Sequence, residues 1–279
     1  MMMTLKDFAQ SIHKTILTDR GCNILTTGST GEGKSTFSAQ LLKSYSKVSD
    51  TYWDFNLMTW SRDELLEWID GVKDSKKDGR GLRKGQLPER TGVLVDEMFS
   101  MFYKRNWYDT AQIDSIATLN MCRDRHLLLI GNNPKFFDLD KGLLSQMNYH
   151  CYIPKRGVAH IFMQEENAHN PDNWNSIENM KLYRKHKNYS RCIGYVGYIL
   201  YPDLNSKDKA EYLKIRNTKR LLAIEQNKNK RVERYAKIKN QRDNIMRYAY
   251  NKQNWSQKLI SELTKMEQGA VSEIINGLK

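Results

Sequence analysis

Gly28-Ser29-Thr30-Gly31-Glu32-Gly33-Lys34-Ser35, with Thr36 next, is the stretch whose reading decides the fold. It satisfies G-x-x-x-x-G-K-[ST] in full. A β-prone run at 23–27 precedes it and a glycine-free helical pattern from 34 to about 46 follows, the strand–turn–helix setting that the motif requires. Glycines let successive backbone N–H groups turn inward around a phosphate, and the new helix adds the positive end of its dipole. Gly28, Ser29, Thr30, Gly31, Glu32, Gly33, Lys34, Ser35 and Thr36 are therefore expected to cradle the phosphates of ATP. Lys34 is placed to reach the β- and γ-phosphates, and the Ser35 hydroxyl to ligate Mg2+.

Outward from the turn, the next apolar runs look like the rest of a parallel sheet. Residues 51–55 (TYWDF) read as a second strand, and 93–95, 127–130 and 151–153 as short buried ones. Ser61 with Glu64 makes a capping box that opens a helix bearing Leu65, Leu66, Trp68 and Ile69. Residues 73–86, rich in Gly, Lys and Arg, read as an exposed loop. Strands alternating with helices over about 130 residues predict an α/β domain, mostly parallel with helices on both faces. Residues 158–163 and 195–201 are expected at the sheet edge, with an irregular Asn-rich stretch between them.

Thr91-Gly92-Val93-Leu94-Val95-Asp96-Glu97 is an apolar strand ending in two carboxylates. Neighbouring side chains on a strand point opposite ways, but at its end both can reach one cleft. Asp96 is expected to hold Mg2+ and Glu97 to orient or deprotonate an attacking water. A glutamate in that place favours hydrolysis over phosphoryl transfer to a small molecule. The strand at 127–130 leads into Gly131-Asn132-Asn133-Pro134, and ligands of open α/β sheets bind at such carboxyl ends. Asn132, with Asn133 beside it, is the candidate to sense the γ-phosphate or hold the water; an Asn-Asn-Pro turn is the alternative.

The chain has 279 residues, 39% hydrophobic and 28% charged. Mean hydropathy is −0.71, no run approaches the ~18 apolar residues of a membrane helix, and no signal-peptide pattern stands at the start. A membrane-spanning or secreted disulfide-rich protein is excluded, and a cytoplasmic one expected. Cys22, Cys122, Cys151 and Cys192 lie far apart without C-x-x-C spacing, so structural thiols are expected rather than a zinc site. The net charge of +13 is concentrated: residues 205–252 hold 15 basic and 5 acidic side chains, leaving +3 for the remainder. That is the footprint of a polyanion-binding arm.

The order of turn, acidic pair and strand-end amide resembles the P-loop ATPases with an additional strand: the HerA and FtsK DNA translocases, zonula-occludens-toxin-like phage proteins and viral packaging ATPases. Arg105, the helix at 109–122, Arg123 and Arg125 fall between Asp96-Glu97 and Asn132 in the order common there. Phe137-Asp138-Leu139-Asp140 and YILYPDLNSKDK at 198–209 are similar to segments after the sensor and at the domain exit. The likeness covers roughly residues 20–220. Much of that family has Gln where Asn132 stands. The resemblance implies a ring of identical subunits in which a neighbour's arginine stabilises the transition state, with Arg105, Arg123 and Arg125 as candidates.

Residues 206–251 lack Gly and Pro and predict one long helix or a helical hairpin. Lys228, Lys230, Arg231 and Arg234 are its candidate DNA contacts. Tyr235, Tyr248, Tyr250 and Trp255 are expected mostly to pack between helices, stacking on bases being the alternative. Residues 256–278 resemble a helix-turn-helix, with Gln268, Ser272 and Asn276 facing phosphates or base edges. Lys265 stands where a turn glycine is usual, and Glu273 brings negative charge. The alternative is a hairpin packed on protein. The expected division is an ATPase domain at 1–204, a basic arm at 205–252 and the tail at 253–279. The function expected is an ATP-driven double-stranded-DNA translocase, a packaging or transfer motor of a virus or mobile element working with a capsid or transfer complex. The alternative is a regulator or loader that uses ATP as a switch; a small-molecule kinase ranks third.

Overall fold

A computed structural model gives the fold and describes residues 1–18, 21–104, 110–165 and 172–277. Two compact units share the chain, Met1–Arg220 and Leu221–Lys279. Residues 206–220 of the expected basic arm thus belong with the α/β unit, and the rest of the arm with the tail.

The first unit carries eight strands among its described residues: β1 (Met2–Met3), β2 (Cys22–Thr27), β3 (Met58–Thr59), β4 (Gly92–Val95), β5 (Leu128–Asn133), β6 (Tyr149–Lys155), β7 (Val158–Met163) and β8 (Tyr195–Leu200). Their order in the sheet is β1-β8-β7-β6-β2-β5-β4-β3. From β6 to β3 all neighbours are parallel, while β7 runs antiparallel to β6 and to β8. This is the α/β, mostly parallel arrangement expected. β5 lies between β2, which leads into the glycine turn, and β4, which ends at Asp96.

Helices cover both faces. α1 (Leu5–Leu17) starts in a reciprocal cap: the Thr4 hydroxyl accepts the Asp7 N–H at 3.1 Å and the Asp7 carboxylate accepts the Thr4 N–H at 3.0 Å. It packs on α2 (Lys34–Ser49), burying Phe8, Ile12 and Ile16 beside Phe37, Leu41, Leu42 and Tyr45. Period two then sorts β4: Gly92 and Leu94 face α2, where a side chain on Gly92 would meet Leu42. Val93 and Val95 face the other layer, made by α3 (Arg62–Asp70), α4 (Thr110–Met121) and α5 (Lys141–Leu144), with Leu65, Ile69, Leu129, Leu143 and Met147 buried. Each such fully buried aliphatic side chain contributes roughly 1.5–3 kcal/mol.

Two expectations are corrected, and one alternative falls away. Residues 51–55 are not a strand. The Asp54 carboxylate accepts the Asn56 N–H at 2.8 Å and caps a short 3-10 turn, so the backbone there bonds locally, and the strand beside β4 is β3. The Asn-rich stretch before β8 is not wholly irregular but contains α6 (Ser176–His186), whose start is fixed by Asp172 accepting the Ser176 N–H at 2.7 Å. That helix buries no residue completely, so no apolar stripe announces it. Asn132 and Asn133 lie inside β5, not in a turn.

α7 (Ser206–Gln253) is one helix, not a hairpin. Within the second unit its last turns join α8 (Gln257–Thr264) and α9 (Gln268–Asn276): Met246 and Ala249 pack with Ile260 and Val271. Ser256 caps α8, its hydroxyl accepting the Leu259 N–H at 3.2 Å, and Lys265 takes the left-handed conformation that ends it. The Arg247 guanidinium donates to the Ile274 carbonyl at 2.8 Å, capping the negative end of α9. Tyr235 and Tyr248 are 75 and 59% exposed and do not pack between helices of this chain, while Tyr250 and Trp255, at 38 and 42%, are partly covered.

Candidate active site

Gly28 leaves β2 at φ 152°, where a Cβ would lie 2.4 Å from the Ile153 carbonyl oxygen of β6. Gly33 stands at the head of α2 with φ 90°, hemmed by the Tyr201 hydroxyl and the Arg156 side chain. Only glycine meets both demands, positive φ and close approach. The turn therefore curls between β6 and α2 with the first-turn amides of α2 free of intrahelical partners. Lys34 Nζ bridges the loop from inside, donating to the carbonyls of Gly28 at 2.8 Å and Ser29 at 2.9 Å. Burial holds its ammonium below the ordinary lysine range, with Asp96, Glu32 and Glu97 opposing that shift. An ammonium in a partly dry cleft gains most from a polyanionic ligand.

Asp96 follows β4, is 6% exposed, and has its N–H fixed to the Thr59 carbonyl at 2.9 Å. The Ser35 hydroxyl donates to Asp96 Oδ1 at 3.0 Å, and Asn132 Nδ2 donates to the same oxygen at 2.9 Å. The other end of the Asn132 amide accepts from the Ser38 hydroxyl at 2.7 Å. Asn132 is thus bound into the floor of the cleft, where it holds the Asp96 carboxylate rather than projecting a free amide. Asn133, its neighbour, turns to the other side and accepts the Phe99 N–H at 3.0 Å.

One carboxylate and one hydroxyl side by side suit Mg2+, which keeps several waters and takes the rest of its shell from substrate phosphates. Among the described residues no group of three His, Cys, Asp or Glu side chains forms a protein-only cage. The donor set present, hard oxygens from Ser35 and Asp96, fits the ion.

Glu97 breaks the alternation of the strand. It sits in the left-handed region at φ 57° and ψ 49° as the chain enters a 3-10 turn, so its carboxylate lines the same cleft as Asp96. Non-glycine residues held there cluster at functional sites.

Several residues that close the cleft were not expected. Arg156, in the turn between β6 and β7, pairs with Asp203 at 3.2 Å beside Gly33. Tyr212 and Arg216, from the first turns of α7, line it together with residues of the glycine turn. Tyr212 is pushed above the ordinary phenol range by burial, and Asp96 adds to the shift while Ser35 and Arg216 oppose it. The signal was available: Tyr212, Arg216 and Arg220 recur every four residues, one row of a helix. It was hidden among the other cations of that segment.

Of the arginines expected to act across an interface, Arg105 and the side chain of Arg123 lie outside the described residues. Arg125 is partly buried and donates to the Leu87 carbonyl at 2.5 Å. In the second unit Lys228 is exposed, and the side chains of Lys230, Arg231 and Arg234 lie outside the described residues. Gln268, Ser272 and Asn276 form one row of α9 away from Val271, with Asn276 Nδ2 donating to the Ser272 hydroxyl at 3.2 Å. Cys22, Cys151 and Cys192 are buried and free. Among the described residues no helix is long and apolar enough to cross a membrane.

No family model matches the sequence, nor does any curated protein. Solved structures with similar chains include the N-terminal domain of zonular occludens toxin from Neisseria meningitidis, at 14% identity over 69% of this chain and 99% of that one, TM-score 0.33. The genome-packaging NTPase B204 of Sulfolobus turreted icosahedral virus 2, in complex with sulfate, is 12% identical over 52% of this chain and 92% of its own, TM-score 0.35. The FIGL-1 AAA domain in complex with ADP is 16% identical over 54% and 50%, TM-score 0.34.

Proposed function

We propose that this protein is a Mg2+-dependent ATPase that converts hydrolysis into movement along double-stranded DNA, as a packaging or transfer motor of a virus or mobile element. The observation that carries the reading is the shared hydrogen bonding of Ser35, Asp96 and Asn132 beside Lys34 and Glu97, at the carboxyl ends of β2, β4 and β5. In this mechanism Lys34 exchanges the Gly28 and Ser29 carbonyls for phosphate oxygens, and the turn amides wrap the β-phosphate. Ser35 and Asp96 would hold Mg2+, which neutralises charge on the transferring phosphoryl group when bound. Asn132 keeps the Asp96 carboxylate aimed, and Glu97 orients the water and takes its proton.

The DNA part of the reading is supported by the concentrated basic charge and by the exposed Lys228, Tyr235 and Gln268 of the second unit. Arg105 and Arg123 remain the candidates to reach a neighbouring subunit in a ring. Three free, buried thiols suit a reducing compartment, the cytoplasm of a cell or of a virus's host. A second reading, an ATP-switched DNA-binding regulator or loader, is favoured by the Gln268, Ser272 and Asn276 row on α9.

The test is phosphate release with and without duplex DNA. Hydrolysis is expected to rise with DNA and to be abolished in Lys34→Ala. If about six cations meet phosphates, DNA affinity falls by about three decades between 50 and 200 mM salt. Turnover indifferent to DNA sinks the motor, and hydrolysis without triplex displacement favours the switch.

A further inference from the structure

We infer that the recess between α6 and strands β6 and β7 is a binding site for a free, uncharged, planar aromatic compound of about two fused rings. The inference goes beyond the ATPase reading and does not rest on it, since this recess and the phosphate cleft share no lining residue.

The strand pattern creates the space. Period two on β6 buries Tyr149, Cys151 and Ile153 on one side and leaves His150 and Tyr152 on the other. Helix α6 covers that second side without burying any of its own residues completely. What remains between is a pocket of about 340 Å³. Phe136, Tyr152, Phe162, Trp174, Tyr183 and Tyr189 wall it, every one half-buried. Their rings brace one another: Tyr183 and Tyr189 stack at 4.4 Å between centres, and the His150 ring lies 4.5 Å from Phe136 and 5.8 Å from Phe162.

The polar side chains of the lining hold the walls in place. Trp174 Nε1 donates to the Leu144 carbonyl at 3.1 Å, and the Ser176 hydroxyl to Asp172 at 3.1 Å. The Asn179 amide donates to the Trp174 and Ile193 carbonyls at 3.0 and 3.1 Å and accepts the Ile193 N–H at 2.6 Å. The pocket is thus formed before any ligand arrives, as small-molecule sites usually are.

The same lining selects the ligand. None of the described side chains around the pocket is charged, and burial pushes the His150 pKa down to about 3, so its ring is neutral. An anion finds no counter-charge there, and a cation finds aromatic faces but no carboxylate, in a chain of net charge +13. His150 spends Nε2 on the Thr27 hydroxyl at 2.6 Å, and its Nδ1 has no hydrogen-bond partner among the described residues, so one polar atom of a ligand can be met. An apolar cavity of about 150 Å³ takes one benzene ring, so this volume suits two. It is far short of the ~1,000 Å² that a specific protein interface buries, which favours a free compound over a partner's side chain.

The experiment titrates 6-fluoroindole into the full chain and follows its fluorine resonance. One molecule per chain is expected, saturating with a Kd below about 1 mM. Phenyltrimethylammonium and benzoate should compete at least about tenfold more weakly than indole. Met180→Trp, which sets another ring at the exposed edge of the lining, should weaken binding about tenfold, and Phe137→Ala about threefold. Both positions are half-exposed, at 47 and 58%, so their unfolding midpoints should stay near that of the wild type. Binding unchanged in both variants, or failure to saturate, would overturn the assignment. Displacement of the probe by excess ATP would place it in the phosphate cleft and overturn it too. A tighter-binding ammonium would replace the neutral ligand with a cation, and N-acetyltryptophanamide competing as well as indole would replace the free compound with a protein side chain.

Discussion

The floor and the roof of the cleft are built on opposite principles. On the floor, Ser35, Ser38, Asp96 and Asn132 are joined by hydrogen bonds of 2.7–3.0 Å, with Asp96 and Asn132 nearly inaccessible to water. Buried polar groups of this kind are expensive to leave unpaired, so the network has one arrangement. On the roof, Arg220 meets Glu97 across one half-exposed ion pair, and Arg216 makes a loose ring contact, lying 6.0 Å from the Tyr212 ring centre. Pairs in that setting contribute about 1 kcal/mol or less. On the proposed ATPase reading, a fixed floor under an adjustable roof would separate holding the nucleotide from permitting its cleavage.

The contrast breaks most sharply at Glu97. Glu97→Gln leaves the floor intact and removes the proposed proton acceptor, so kcat should fall by about 10²–10⁴ while labelled ATP still binds. A fall below tenfold would place the base elsewhere. Acid supplies the next test. His150, on β6 behind the turn, meets the Thr27 hydroxyl at 2.6 Å, and burial pushes its pKa down to about 3. The unfolded chain takes up that proton near 6.5, so between about 6.5 and 3 it binds more protons than the folded one. The stability from neutral His150 is full above 6.5 and drains as pH falls through the window, by up to about 1.4 kcal/mol per unit. Urea midpoints from pH 7.5 to 5 should therefore drop more steeply in wild type than in His150→Gln; equal slopes would remove His150 from the account. Asn132→Ala sharpens the contrast at the smallest scale. It removes the shorter bond of the Ser38 hydroxyl and one of two bonds at Asp96 Oδ1, leaving Thr26 and Ser35 as their partners, and should cost about 1–3 kcal/mol in denaturant unfolding. A loss under about 0.5 kcal/mol would mean water replaces the amide.

The floor was legible in the sequence because each of its residues is required locally. Gly28 and Gly33 answer to backbone shape, Lys34 and Ser35 to their distance from those glycines, and Asp96 and Glu97 to the end of an apolar run. The roof was not legible, because Tyr212, Arg216 and Arg220 acquire meaning only once folding lays α7 across the cleft; in the sequence they are three residues of a basic helix. Arg156 was missed for the same reason, being an ordinary turn residue until β6 lies beside β2. The misread 51–55 stretch shows the converse. Its run of aromatics reads as a strand, and one aspartate bonding to the backbone two residues on prevails over them. Asn132 was found by position, but its task came from its partners.

Glu97 bends left-handed where asparagine or glycine would sit with less effort, a conformation that costs a side chain like glutamate about 1–2 kcal/mol. Robustness and reactivity are therefore opposed at this one position. A lineage screened for heat tolerance alone would be drawn to discard the glutamate early and, on the proposed reading, would arrive at a sturdier relative that grips its nucleotide and never spends it.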